Sequence, residues 1–283
     1  EHGVDPMTAI QMGTINNARY YRLKNHGAIA PRYWADFIVF DDLAKFQIKQ
    51  VYKKGALVAE NGNYLRDENR SAEQPRSTMN LSFRPLEDFE VQANGARKIR
   101  VIEIVPDQIV TKEILETPKI LDGQIVSDLE RDILKLVVVE RHRATGNVGV
   151  GFVRGFGLKR GALGSTVAHD AHNVVVVGVS DADIVAAIRA LEKMRGGQVA
   201  VVDGKIEASL PLPIAGLVSD QPLEFVIDKI LELKAAAVRF GCGLDAPFMS
   251  LSFLSLSPIP ALKLTDQGLV DAVNLKLTTL IAE

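Results

Sequence analysis

Four consecutive valines, Val174 to Val177, preceded by seven glycines between Gly146 and Gly164, limit the fold of this chain more than any other feature. An unbroken β-branched run of strand length reads as a buried strand. Glycine is used where a backbone must turn with positive φ or let another group come close. The residues ahead of the strand therefore read as a shaped loop, carrying Arg154, Lys159 and Arg160 and ending in His169, Asp170, His172 and Asn173. A loop of this composition, held by a strand, is the first place to expect a functional site.

The rest of the composition narrows the setting. At 283 residues, 47% hydrophobic and 24% charged, the chain can form one large or two ordinary domains. A formal net charge of -2 provides no concentrated positive field, so neither nucleic acid nor an anionic membrane is expected as a partner. The single cysteine, Cys242, precludes an intrachain disulfide and fits a reducing, cytoplasmic setting. No apolar run reaches the roughly 18 residues of a membrane span, and no basic-then-apolar leader is visible. The chain opens on Glu1 and enters at once a helix-start signal, so it is expected to be a fragment of something longer.

Taken in order, Asp5 and Pro6 cap and start a helix expected to run to about Tyr21. Short strands are expected at 34–41, 46–52 and 56–59, closed by the Asn61-Gly62-Asn63 turn. Residues 66–97 read as a polar linker or wrapping arm. Beyond it, strands are expected at 99–105, 109–115, 134–140, 174–179 and 199–202. Ser180 and Asp183 signal a helix that buries Ile184, Ile188, Leu191 and Met194 and stops at Gly196-Gly197. A second helix, from near Asp220 and Pro222, is expected to turn Leu223, Val226, Ile227, Ile230, Leu231 and Val238 inward. Residues 249–253 alternate as a half-buried strand. The whole reads as mixed α/β.

His169, Asp170, His172 and Asn173 are the one place where two of the five histidines meet an acid. Imidazole and carboxylate suit zinc, manganese or iron, and a His/Asp pair can move protons near neutral pH. The residue types leave a structural alternative open, in which Asp and Asn bond their own backbone and the histidines pack. A phosphate cradle is disfavoured, because Gly155-Phe156-Gly157 leads toward a strand where a dinucleotide loop would open a helix. A flexible lid over a neighbouring site fits the glycines better. Cys242 lacks a neighbouring base and reads as a small hydrophobe.

Several stretches together resemble the bacterial adenine deaminases of the amidohydrolase superfamily. Gly3-Val4-Asp5-Pro6 with Ala9-Ile10, Thr14, Asn16 and Ala18 is similar to the last barrel helix of amidohydrolases. Gly27, Ile29-Ala30-Pro31, Tyr33 and Ala35-Asp36, followed by Val51 and Gly55, resembles strands of their flanking β-sandwich. The narrower likeness lies in residues 155–162, 167–173, 246–254 and 259–266, which resemble the C-terminal domain of adenine deaminases.

The resemblance implies hydrolysis of adenine to hypoxanthine and ammonia in a (β/α)8 barrel holding a divalent metal, manganese or iron with zinc as a third option. It implies the tail of that barrel at 1–24, sandwich strands at 25–68, a linker or arm at 69–97 and a C-terminal α/β domain at 98–283. The barrel's ligands precede the helix at Asp5, so none maps onto this chain, which alone is expected to be inactive. The N-terminal barrel segment and adenine are the expected partners, in a homo-oligomer serving purine salvage. His169, Asp170, His172 and Asn173 would then line or cover the reacting centre. Two alternatives remain at this point: another amidohydrolase acting on a cyclic amide or purine, and a non-catalytic module with a structural metal on the histidine cluster.

Overall fold

A computed structural model describes residues 3–43, 45–65 and 76–282. It divides the chain into two compact units, Glu1–Glu73 and Gln74–Glu283. No helix among the described residues is long and apolar enough to cross a membrane.

The first unit begins with α1 (Pro6–Gly13) and α2 (Ile15–Tyr20). Asp5 caps α1 by accepting from the Thr8 amide at 3.0 Å. The single helix expected to about Tyr21 is broken at Thr14, whose hydroxyl turns back to donate to the Ile10 carbonyl at 2.6 Å. Four antiparallel strands follow in sequence order: β1 (Phe37–Phe40), β2 (Ile48–Lys53), β3 (Ala56–Glu60) and β4 (Asn63–Tyr64). Asn61 and Gly62 both take positive φ, as a two-residue hairpin turn requires.

The second unit contains fourteen strands and three α-helices among its described residues, with one 3-10 turn at Glu87–Phe89. In chain order they are β5 (Lys98–Ile104), β6 (Thr111–Glu116), β7 (Lys119–Leu121), β8 (Gln124–Val126), β9 (Ile133–Val139), β10 (Val148–Arg154), β11 (Ala162–Ser165), β12 (Val174–Gly178), α3 (Asp181–Lys193), β13 (Gly197–Val202), β14 (Lys205–Pro211), α4 (Leu223–Arg239), α5 (Pro247–Phe253), β15 (Leu262–Thr265), β16 (Gly268–Asp271), β17 (Lys276–Thr278) and β18 (Ile281–Ala282). Its frame is a nine-stranded sheet ordered β14-β13-β11-β12-β9-β10-β5-β18, with β6 also on β5. The β10–β5 pair is parallel, and the other pairs of this sheet are antiparallel.

The valine run explains the layering. Because side chains alternate across a strand, Val174 and Val176 enter one core with Val137, Val139, Ile184, Ile188 and Leu191. Val175 and Val177 enter the opposite core with Leu136, Val138, Leu233, Phe240, Leu251 and Leu264. One face of the sheet is thus covered by α3 and the other by α4, α5 and the small sheet β15-β16-β17. Ser180 caps α3 as expected, accepting from the Asp183 amide. Residues 66–75 of the expected linker lie outside the described residues, while Met79 and Phe89 from its remainder pack into the α3 core.

Three expectations need correction. Much of the glycine-rich stretch is β10 and β11 and is buried, so it is core rather than a flexible lid. A Cβ at Gly149 would fall 1.9 Å from the Thr265 carbonyl oxygen, so the glycine lets β15 cross directly over β10. Residues 249–253 are helical, within α5: Pro247 starts the helix, and the buried positions Pro247, Phe248, Leu251 and Ser252 follow a helical spacing. In α4 the inward face is made by Leu233, Ala236 and Ala237. Of the six apolar residues expected to face inward, Val226 packs against the core, whereas Leu223, Ile227, Ile230, Leu231 and Val238 are exposed.

Candidate functional site

His169, Asp170, His172 and Asn173 share the connection 166–173 between the antiparallel strands β11 and β12. The connection closes as a turn in which the His172 amide donates to the Ala168 carbonyl at 2.6 Å, and His172 takes φ of 51°. Three separate elements fix it. From the end of β9, Arg141 donates to the His172 carbonyl and His142 Nε2 donates to the Ala171 carbonyl at 2.8 Å. From the α5 side, the Ser252 carbonyl accepts from the His169 amide at 2.9 Å, and the His169 ring stacks on Phe253 at 4.9 Å. In the turn between β15 and β16, Asp266 accepts from the amide groups of Asn173 and Asn147, both at 3.1 Å.

Arg141 is 1% exposed and has no carboxylate bonded to it among the described residues. Its other bonds run to the Thr78 carbonyl and hydroxyl, the Ala215 carbonyl and, at 3.9 Å, the Met79 sulfur. Burial pulls its guanidinium down to about 10, partly opposed by neighbouring Glu140. Burial also works against ionised Glu140, but the amides of Thr145, Arg143 and His142 outweigh it and leave the carboxyl below its ordinary value. The β9 end is thus a fixed block of opposite charges under the loop.

His172 is held below its ordinary pKa, first by burial and then by the charges of His169 and Arg141, with Asp170 opposing. At neutral pH the ring is therefore uncharged. Its Nδ1 accepts from the Ala168 amide at 3.2 Å, which assigns the proton to Nε2. The geometry leaves His172 with a Nε2–H donor of fixed tautomer. Asp170 and Asn173 line a cavity of ≈570 Å³ together with Ser255 and Asp266. Asn173 is buried, and its Oδ1 has no hydrogen-bond partner among the described residues.

The four expected residues therefore do sit on one loop, although His169 is turned onto Phe253. The sequence reading missed Arg141, His142 and Asp266. Asp266 closes one of the quoted stretches, and Arg141 and His142 directly follow an expected strand, so position alone gave a signal for them. Cys242 is buried, and burial pushes its thiol up, which makes it inert.

Lys263 is fully buried behind the same wall and donates to the carbonyls of Phe253 and Ile109 at 3.1 and 2.9 Å. Burial lowers its pKa from 10.5 to about 8. Between those values the unfolded chain binds more protons than the folded one, so stability rises as pH climbs from about 8 to about 10.5. Relative to Lys263→Met, the wild type is expected to gain on the order of 2 kcal/mol across that window. Urea midpoints at pH 7.5 and 10.5 for both proteins check this, and parallel pH dependences would refute it.

Residues 108–276, more than half of the chain, match the model of the adenine deaminase C-terminal domain. The chain belongs to the adenine deaminase family. Residues 1–58 match the amidohydrolase family. The chain is 48% identical to the adenine deaminase of Dehalococcoides mccartyi strain 195 over 276 residues, which is 97% of this chain and 48% of that protein. It is 48% identical over 274 residues to the adenine deaminase of Desulfatibacillum aliphaticivorans, covering 96% and 48% of the two chains. With adenine deaminase 2 of Carboxydothermus hydrogenoformans the identity is 50% over 275 residues, covering 95% and 47%. The chain spans about half the length of the curated relatives it matches.

The amidohydrolase family implies a divalent metal. Among the described residues no group of three or more His, Cys, Asp and Glu side chains is placed to hold one. His169 and His172 have ring centres 5.5 Å apart and bring no third ligand with them. The donor set here does not fit a metal centre.

Proposed function

We propose that this chain is the C-terminal part of an adenine deaminase, which hydrolyses adenine to hypoxanthine and ammonia in purine salvage. In this reading a divalent metal, manganese or iron, is held by an N-terminal (β/α)8 barrel whose last helix corresponds to α1 and α2. The strands β1 to β4 belong to the β-sandwich beside that barrel, and the enzyme works in the cytoplasm. The observation that carries the reading is the near-complete coverage of this chain by adenine deaminases at close to half identity.

The loop 166–173 is then a wall of the substrate site. Neutral His172 offers Nε2–H as a donor to a ring nitrogen or to the developing carbonyl oxygen of the product. Asp170 and the Asn173 Oδ1 offer acceptors for the amino group and the ring N–H. Arg141, His142 and Asp266 keep these groups in place, which lowers the cost of ordering them on substrate. The lack of a three-ligand group at the histidines weighs against a module built on a structural metal.

The test is His172→Ala and His169→Ala in a polypeptide of the relatives' full length. The account expects kcat/KM for adenine to fall about 10- to 100-fold for His172→Ala. The fall is smaller for His169→Ala, and metal content is unchanged in both. Full turnover in the two variants would reduce the loop to scaffolding.

A further inference from the structure

A second cavity, of ≈720 Å³, opens where the chain leaves the parallel pair β5 and β10. Residues 106–109 follow β5 and residues 155–159 follow β10, so both connections emerge on one side, at the carboxyl ends of strands that run in the same direction. A crevice outside the carboxyl ends of parallel strands is where open α/β sheets bind ligands, and the volume is that of a small-molecule site. Its shape is fixed by the fold. A Cβ at Gly157 would meet the Gly241 carbonyl oxygen at 2.9 Å, and one at Gly241 would meet the Gly157 carbonyl oxygen at 3.0 Å, so two bare backbones cross at the floor. Gly243 differs: a Cβ there would meet nothing within 4 Å, and its φ lies outside the left-handed region. Neither packing nor backbone conformation asks for glycine at this position, and its missing side chain leaves space in the cleft. From α5, Met249, Ser250 and Phe253 line the cleft, while Phe248, Leu251 and Ser252 are buried on the core side.

The lining selects the ligand. Ile109, Leu244, Met249 and Phe253 provide apolar walls. His169 stacks on one face of the half-buried Phe253 ring at an interplanar angle of 28°, which leaves the other face for a second ring. Asp132 is fixed as an acceptor: its two oxygens take the Gly155 and Gly157 amides at 2.9 and 2.7 Å, and each keeps a lone pair. Asp107 and Asp245 add two more carboxylates to the lining, against a single cation, Lys159, whose ammonium donates to the Leu129 carbonyl at 3.0 Å. Three carboxylates to one ammonium reject a phosphorylated ligand. An aliphatic amine would satisfy the acids but leave the ring face and the Met249 thioether unused. A flat ring with N–H donors on its edge and no anionic group uses all of them. We propose that this cleft binds an uncharged amino-bearing purine, as free base or nucleoside, with Phe253 against the ring and Asp132 accepting from its edge. The choice of purine among such heterocycles rests on the functional reading above, whereas the demand for an uncharged, donor-bearing ring comes from the lining itself.

Equilibrium dialysis of the 283-residue chain against adenine, adenosine and adenosine monophosphate provides the test, with circular dichroism as the control for folding. Saturable binding of adenine or adenosine is expected, the tighter of the two identifying base or nucleoside, with the monophosphate at least about 10-fold weaker than adenosine. Gly243→Leu fills the open space without entering the core and is expected to weaken binding about 10-fold or more. Met249→Ala, at a position 57% exposed, is expected to weaken it about 3- to 10-fold. His172→Ala lies beyond Phe253 and His169 and is expected to leave the constant within about twofold. Absence of saturable binding at millimolar base and nucleoside, unchanged binding in both Gly243→Leu and Met249→Ala, or a monophosphate bound as tightly as adenosine would each overturn the inference. Binding lost in His172→Ala but kept in Gly243→Leu would also overturn it, by moving the purine to the loop 166–173. The dialysis involves no catalytic step, so each of these outcomes leaves the functional reading to its own turnover test.

Discussion

Arg141→Met is expected to lower the unfolding free energy by about 4 kcal/mol, a large share of the roughly 5–15 kcal/mol available to a domain. The guanidinium ties four oxygen acceptors from three distant segments: the His172 carbonyl, the Thr78 carbonyl and hydroxyl, and the Ala215 carbonyl. Methionine fills similar space but donates nothing, so buried carbonyls lose their partners at about 1–3 kcal/mol each. Removing a desolvated charge returns part of that loss, which keeps the net effect near the lower end of the sum. Arg141→Lys keeps the charge but cannot reproduce the planar fork, and about half of the destabilisation is expected. The measurement is the urea midpoint at constant m, together with hydrogen exchange of the loop 166–173. The Ala168 to His172 turn should open before the β9 and β12 ladder does. An Arg141→Met protein with an unchanged midpoint would show that the clamp under the loop carries no stability.

The features legible in the sequence share one property: their determinants are local. The valine run, the Ser180 cap with Asp183, and the Asn61-Gly62 turn each declare themselves within a few residues, and each appears where expected. What failed depended on distant neighbours. Gly149 and Gly151 read as loop residues because nothing near them reveals that β15 and β16 cross their strand. Residues 249–253 were ambiguous because five residues of alternating Met, Ser, Leu, Ser and Phe satisfy both periods, and only Pro247 favoured a helix. In α4 the large apolar residues pulled the expectation inward, whereas the sheet accepts the small Ala236 and Ala237 face.

The candidate site divides along the same line. The loop and its four polar residues were visible as a compact cluster, and the structure keeps them together. Their supports were not visible as supports: Arg141 and His142 lie about thirty residues upstream, and Asp266 lies 93 residues beyond Asn173. A sequence shows which groups could do chemistry. The residues that fix their tautomer and position emerge only when the strands are paired.

On the proposed reading, the largest effect is expected between this chain and a polypeptide of the relatives' full length. The described residues hold no ligand set for the divalent metal that the family implies, and the chain spans about half the length of its relatives. If the loop 166–173 is a wall and the reacting centre is built elsewhere, the two parts must differ in rate by far more than any side-chain substitution produces. The decisive measurement is the release of ammonia from adenine by the 283-residue chain and by a polypeptide of the relatives' full length, at equal concentration and with divalent metal supplied. The account predicts turnover by the longer polypeptide and a rate at least about 1000-fold lower, near the uncatalysed background, for the chain alone. Comparable rates for the two would contradict it.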